Sequence, residues 1–187
     1  MLRPLLVALA LTAAPAVAQD LAGQYAAAAR AFTLPGVASL GQSDLMEDDA
    51  VMAILPMIEG DWAAASVLFT DPFSVDASIL QEACERTPST LAQTAPRSFE
   101  LRRSRSAGGQ AISLSLRHDW VVGNTFDRSA AENEVIAYLG LDAMEEIPAG
   151  MLTLPGLRAE VQMFHPSADI LVFAAPGQPP EILARCP

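Results

Sequence analysis

The chain has 187 residues, 51% of them hydrophobic and only 6% aromatic, with a formal net charge of −11. Every positive side chain is an arginine, and so acidic a protein repels nucleic acid and anionic lipid, which excludes both as general partners. The length corresponds to one domain, with room for a helical appendage.

Taken in chain order, the first feature is an address. Arg3 precedes an apolar run from Leu5 to Ala14 that is too short to span a bilayer, and Ala16-Val17-Ala18 supplies the small-x-small pattern of a signal-peptidase site. Residues 1–18 therefore read as an export signal, with Gln19 as the new N-terminus. No later apolar run is long enough to cross a membrane, and no Cys stands at the cleavage site to take a lipid anchor. A periplasmic or secreted protein that does not span the membrane is expected. In an oxidising compartment the two cysteines, Cys84 and Cys186, are expected to form a disulfide. Closing a loop of about a hundred residues contributes roughly 4–5 kcal/mol in the chain-entropy account.

Residues 19–43 read as a helical segment and connector, and 44–187 as a single α+β domain. From Gln19 to Arg30 the chain is Ala-rich and suits a helix that Leu34-Pro35-Gly36 stops. A second helix is marked by Asp44 as N-cap and Glu47 three residues on, with Val51, Ile54, Leu55 and Ile58 along one face. Pro56 must kink or divide it, and Gly60 ends it. Asp61 to Phe69 leans towards strand. Asp76 is placed to cap a short helix from Ala77 to about Arg86, carrying Cys84.

From Arg97 the apolar period changes to two. Phe99 and Leu101 alternate with Glu100 and Arg102. After an Ala107-Gly108-Gly109 turn, Ile112, Leu114 and Leu116 alternate with Ser113, Ser115 and Arg117, which predicts a hairpin with one wet face. Phe126 to Leu139 fits a strand and a helix equally. Leu157 to Met163 alternates again, a turn spans His165 to Asp169, and Ile170 to Ala174 and Glu181 to Cys186 read as strands. The result is α+β: N-terminal helices followed by a curved antiparallel sheet of about five or six strands.

Gly60-Asp61-Trp62, at the entry to the β-rich half, resembles the Gly-x-Trp signature that opens the first strand of lipocalins and related calycins. The resemblance implies a barrel with an apolar cavity, and it gives Arg185, next to Cys186, the part of the arginine that packs over the Trp62 ring. The helix-then-sheet order is equally similar to an NTF2-like cone, in which helices fill the concave face of an open sheet.

Familiar catalytic signatures such as Gly-x-Ser-x-Gly, Cys-x-x-Cys and His-Glu-x-x-His do not occur, so no catalytic residue, cofactor or metal site is expected. Two histidines, His118 and His165, are too few for a multi-histidine metal centre. If the strand continues past Arg117, His118 joins Leu114, Leu116 and Trp120 on one face, as contacts for a ligand. The blander alternative puts His118 at a strand end, bonded to nearby backbone. An Asp–His pair is the one enzyme-like arrangement the composition allows, and His165 reads as a surface residue in a turn. Glu47-Asp48-Asp49 reads as a solvated helix start rather than a calcium site, and Met46, Met52, Met57, Met144, Met151 and Met163 as core fillers. Arg97, Arg102, Arg103 and Arg105 read as the wet face or turn of one hairpin, balancing nearby carboxylates, with an anionic ligand or acidic partner as the alternative. The expected function is a non-catalytic exported protein that binds a small apolar or amphipathic molecule in a cavity of the sheet. The alternative is an envelope module that meets a protein partner through its helical N-terminal region.

Overall fold

A computed structural model describes residues 14–33, 48–64, 74–141, 144 and 157–187. Eight antiparallel strands run in sequence order and close on themselves: β1 (Gly60–Ala63), β2 (Ser89–Ala95), β3 (Ser98–Ala107), β4 (Gln110–Val122), β5 (Thr125–Ala130), β6 (Ala159–Ser167), β7 (Ile170–Ala174) and β8 (Glu181–Arg185). The expected five or six strands are thus eight, and the sheet is a closed barrel rather than an open cone. Four α-helices accompany it among the described residues: α1 (Ala14–Thr33), α2 (Asp48–Ile54), α3 (Ala77–Arg86) and α4 (Glu132–Leu139).

Alternation along the strands sorts the residues into two cores. Inward-facing Leu91, Phe99, Leu101, Leu114, Leu116, Phe126, Val161, Met163, Leu171 and Leu183 line the barrel interior as one buried cluster. On the outside of β2 to β5 stand Thr90, Arg102, Ser104, Ser113, Arg117 and Asp127, all exposed. Apolar-in, polar-out is the reverse of a lipid-facing barrel, and no described helix is long and apolar enough to cross a membrane. The outer faces of β1, β7 and β8 differ. There Ala63, Ile170, Val172, Ile182 and Ala184 are buried beneath α1 and α3, which contribute Tyr25, Ala28, Ala29, Leu80 and Ala83. Helices α1 and α3 therefore cover the outside of the barrel, where the cone would have placed them in the concave face.

One end of the barrel is sealed by residues around Trp62. Helix α2 passes into a 3₁₀ turn at Leu55–Met57, where Pro56 divides the segment as its missing N–H requires. Val51, Leu55 and Ile58 are turned into the barrel interior. The Trp62 Nε1–H donates to the Ile58 carbonyl at 2.9 Å, and the Arg185 guanidinium lies 4.4 Å over the Trp62 ring. That guanidinium also donates to the Met57 and Glu59 carbonyls. Gly60 is required beside it: its φ is +126°, and a Cβ there would sit 3.3 Å from the Arg185 guanidinium. Trp62 pairs directly with Arg185 across the β1–β8 seam. Cys186 continues that seam by donating its N–H to the Asp61 carbonyl, and its disulfide to Cys84 ties the seam to α3.

At the opposite end α4 follows β5 directly, so the segment that fitted both strand and helix contains one of each. Val135 is buried with the inner-wall residues, Glu134 accepts from the Ser115 N–H at 2.7 Å, and Arg105 donates to the Ala137 and Tyr138 carbonyls at the helix C-terminus. Asp76 caps α3 by accepting from the Ser78 and Ile79 N–H groups. Helix α1 begins at Ala14, so the expected cleavage boundary falls inside it; its buried contacts, Tyr25, Ala28 and Ala29, lie downstream of Gln19. Asp44 and Glu47 lie outside the described residues.

Reducing the Cys84–Cys186 disulfide, 102 positions apart, is expected to lower the unfolding free energy by about 2–5 kcal/mol in a denaturant titration. Identical curves for oxidised and reduced protein would contradict the role given to it in holding the seam.

Candidate functional site

The barrel interior is not uniformly apolar. Register aligns Phe99 on β3, His118 on β4 and Arg128 on β5 in one row. From β7 and β8 come Phe173 and Glu181, themselves directly paired. Arg103 stands further along the inner face of β3, paired with Ser89 on β2 and Leu114 on β4. Strands from around the barrel thus deliver two guanidiniums, one carboxylate and one imidazole to a wall otherwise built of Leu, Phe and Val.

His118 is fully buried and stacked between two rings, Phe99 at 4.3 Å with 7° between planes and Phe173 at 5.1 Å with 24°. Its Nδ1 is 2.9 Å from the Leu116 carbonyl, which can only accept, so Nδ1 carries the proton. Its Nε2 then accepts from the Arg128 Nε–H at 2.8 Å. Burial first, then the Arg128 charge, holds its pKa well below the ordinary histidine value. Both nitrogens are engaged and both faces covered. The ring therefore has no lone pair to offer a substrate or metal, and its polar partner is a cation, not the carboxylate of an Asp–His pair.

Arg128 is 5% exposed, lies 5.1 Å over the Phe173 ring and reaches the Glu181 Oε2 at 3.4 Å. Burial, then the like charge of Arg103, lowers it to about 9, so it remains a cation at neutral pH. Glu181 is shared: its other oxygen pairs with Arg103. Burial also pulls Arg103 below the usual arginine range. A carboxylate bridging one buried and one half-buried guanidinium is costly to desolvate, and removing it strands two charges.

The four ligand contacts expected from the strand period divide into separate groups. His118, Leu114 and Leu116 all face the interior, and the strand does run on to Val122, so His118 is not at a strand end. Trp120 shares their face but belongs to the sealed end. Its Nε1–H donates to the Gly123 carbonyl at 2.9 Å, Arg97 stacks over its ring at 4.5 Å, and the Gly123 N–H donates to Asp48. Asp48 is therefore a structural acceptor as well as part of a helix start. The arginines expected on one wet face disperse: only Arg102 stands exposed on the strand, paired with Glu100, while Arg103 and Arg105 follow the inward parity of Phe99 and Leu101. His165 lies within β6, not in a turn, and is half-buried. Among the methionines, Met163 is buried and Met52 packs against the core, but Met57 and Met144 are exposed; Met46 and Met151 lie outside the described residues.

Arg128 and Glu181 went unnoticed in the sequence. Glu181 has the parity of inward Leu183, a signal that a charged residue at a strand end obscures. Among the described residues no three His, Cys, Asp or Glu side chains meet to hold a metal ion. The closed eight-stranded barrel is consistent with a calycin-like architecture. No family model, curated protein or solved structure matches the chain.

Two outcomes check this geometry. An unfolded histidine takes a proton near pH 6.5, whereas folded His118 resists it. Its contribution to stability is therefore complete above that pH and is lost as pH falls towards the lower folded value. Nitrogen-15 spectra should show the neutral Nδ1–H tautomer below the pH at which an unfolded histidine is half protonated; an imidazolium at about pH 6 would contradict the stacked, arginine-bonded ring. Glu181→Gln is expected to cost about 3–5 kcal/mol of stability by chemical denaturation, and a change within 0.5 kcal/mol or so, the ordinary surface range, would contradict the buried bridge.

Proposed function

We propose that the chain is an exported, non-catalytic barrel that binds a small amphipathic molecule inside, in the half below α4, against Leu101, Leu114 and Leu116. The supporting observation is the composition of the inner wall: apolar on most positions, with one charged cluster of Arg103, Arg128 and Glu181. Eight-stranded barrels are wide enough either to be filled by side chains or to hold one small ligand. Ligand sites of this kind combine an apolar lining with a few convergent polar groups.

The Gly60-Asp61-Trp62 entry, sealed by Arg185, supports a lipocalin-like reading in which one end is closed and the other admits the ligand. The Cys84–Cys186 disulfide fits an oxidising compartment outside the cytosol. The rival, an envelope module presenting the helix before Trp62 to a protein, is less well supported. Val51, Leu55 and Ile58 are already buried in the barrel, so the apolar face such a helix would offer is occupied.

Native mass spectrometry of the oxidised protein, combined with dye displacement by fatty acids, haem and isoprenoids, tests the reading. A stoichiometric small-molecule adduct or saturable displacement is expected. A protein that displaces no dye and carries no adduct from its native source would overturn it.

A further inference from the structure

Three buried side-chain atoms near the start of β2 have no hydrogen-bond partner among the described residues: Thr87 Oγ1, Ser89 Oγ and Arg103 Nε. Buried polar groups are nearly always bonded, so unbonded ones are places for a water or a bound molecule. Ser89 is 1% exposed and is the direct cross-strand partner of Arg103. Such partners project from the same face of a sheet with β-carbons about 5 Å apart. Thr87 lies two residues before Ser89.

We propose that Ser89 and Arg103, assisted by Thr87, seat the carboxylate of a small monocarboxylate whose apolar body lies along the leucines of the inner wall. This deepens the binding role proposed above and rests on it. The chemistry selects the class. Arg Nε–H can only donate, and a serine hydroxyl can donate as well, so the missing partner is an acceptor. Arg103 shares the Glu181 carboxylate with Arg128, so its charge is only partly balanced by that residue, which favours an anion over a neutral carbonyl. With Glu181 already present, a monoanion balances the two guanidiniums, whereas a phosphate dianion would leave one negative charge in excess. Leu114 pairs with Arg103 on its other side, and Leu91 and Leu101 are the next inward positions on β2 and β3. The head group would thus sit at the edge of an apolar surface suited to an alkyl or aromatic body.

Isothermal titration calorimetry on the oxidised protein at neutral pH, with octanoate, methyl octanoate and octanol as probes, tests this. Octanoate is expected to bind at least about tenfold more tightly than its ester, the scale of one charge-assisted hydrogen bond. Ser89→Ala should weaken octanoate several-fold, and Arg103→Gln should remove the preference for acid over ester. If Arg103→Gln does not fold, Ser89→Ala with the three probes decides alone. Equal binding of acid and ester, or unchanged octanoate binding by Ser89→Ala, would overturn the carboxylate seat while leaving the barrel a binder; the unbonded groups would then hold only water. Absence of binding by all three probes, together with adducts of another chemical class in the native protein, would also overturn the seat. Absence of any adduct would remove both readings.

Discussion

Closure of the first strand on the last is the constraint from which the rest of this molecule follows. β1 and β8 pair at only two positions, Trp62 with Arg185 and Ala63 with Ala184. So short a seam is reinforced on every side. Arg185 covers the Trp62 ring and reaches back to carbonyls of the turn before β1, Cys186 extends the pairing to Asp61, and the disulfide secures the tail to α3. A closed sheet has no free edges to be capped, and its inner residues are removed from water without help from a second layer. Helices α1 and α3 cover the seam's outer face, where β1, β7 and β8 are apolar on both sides.

Closure also creates the chemistry. Only in a closed barrel do β3, β5 and β8 face one another, bringing Arg103, Arg128 and Glu181 into one cluster. The imidazole of His118 completes it as a hydrogen-bond acceptor for Arg128, a part it can play only while neutral. Two flanking phenyl rings exclude water from it and keep it so. His118 is thus a positioning residue for Arg128, which in turn shares with Arg103 the carboxylate of Glu181. The energetic logic is that of a buried polar network: each member is tolerable because another satisfies it.

Much of this was legible in the order of residues. The period-two patterns of Phe99–Leu101 and Ile112–Leu116 pointed to the central hairpin, Asp76 announced α3, and the two cysteines pair as expected. Gly60-Asp61-Trp62 with Arg185 marked the sealed end, because a tryptophan beside a positive-φ glycine leaves room for a guanidinium. Other elements left weaker traces. β2 consists largely of Ser, Thr and Ala, and with Leu91 as its one large apolar residue it carries little alternation to detect. β5 runs into α4 within two residues, so a window across Thr125 to Leu139 averages two periods. The inner charges were hidden for a different reason: arginine on an apolar face breaks the pattern that identifies the face, and only the register of neighbouring strands restores it.

The claim that most needs a direct test is that a small amphipathic molecule lies inside the barrel against the charged cluster. Isotope-filtered nuclear Overhauser spectra of the oxidised protein with carbon-13-labelled octanoate measure this by contact. The account predicts cross-peaks from the alkyl chain to Leu101 and Leu114 and from the carbon next to the carboxylate to Ser89. Cross-peaks confined to exposed side chains such as Val121, Val122 or Met57, with none to the inner wall, would contradict it.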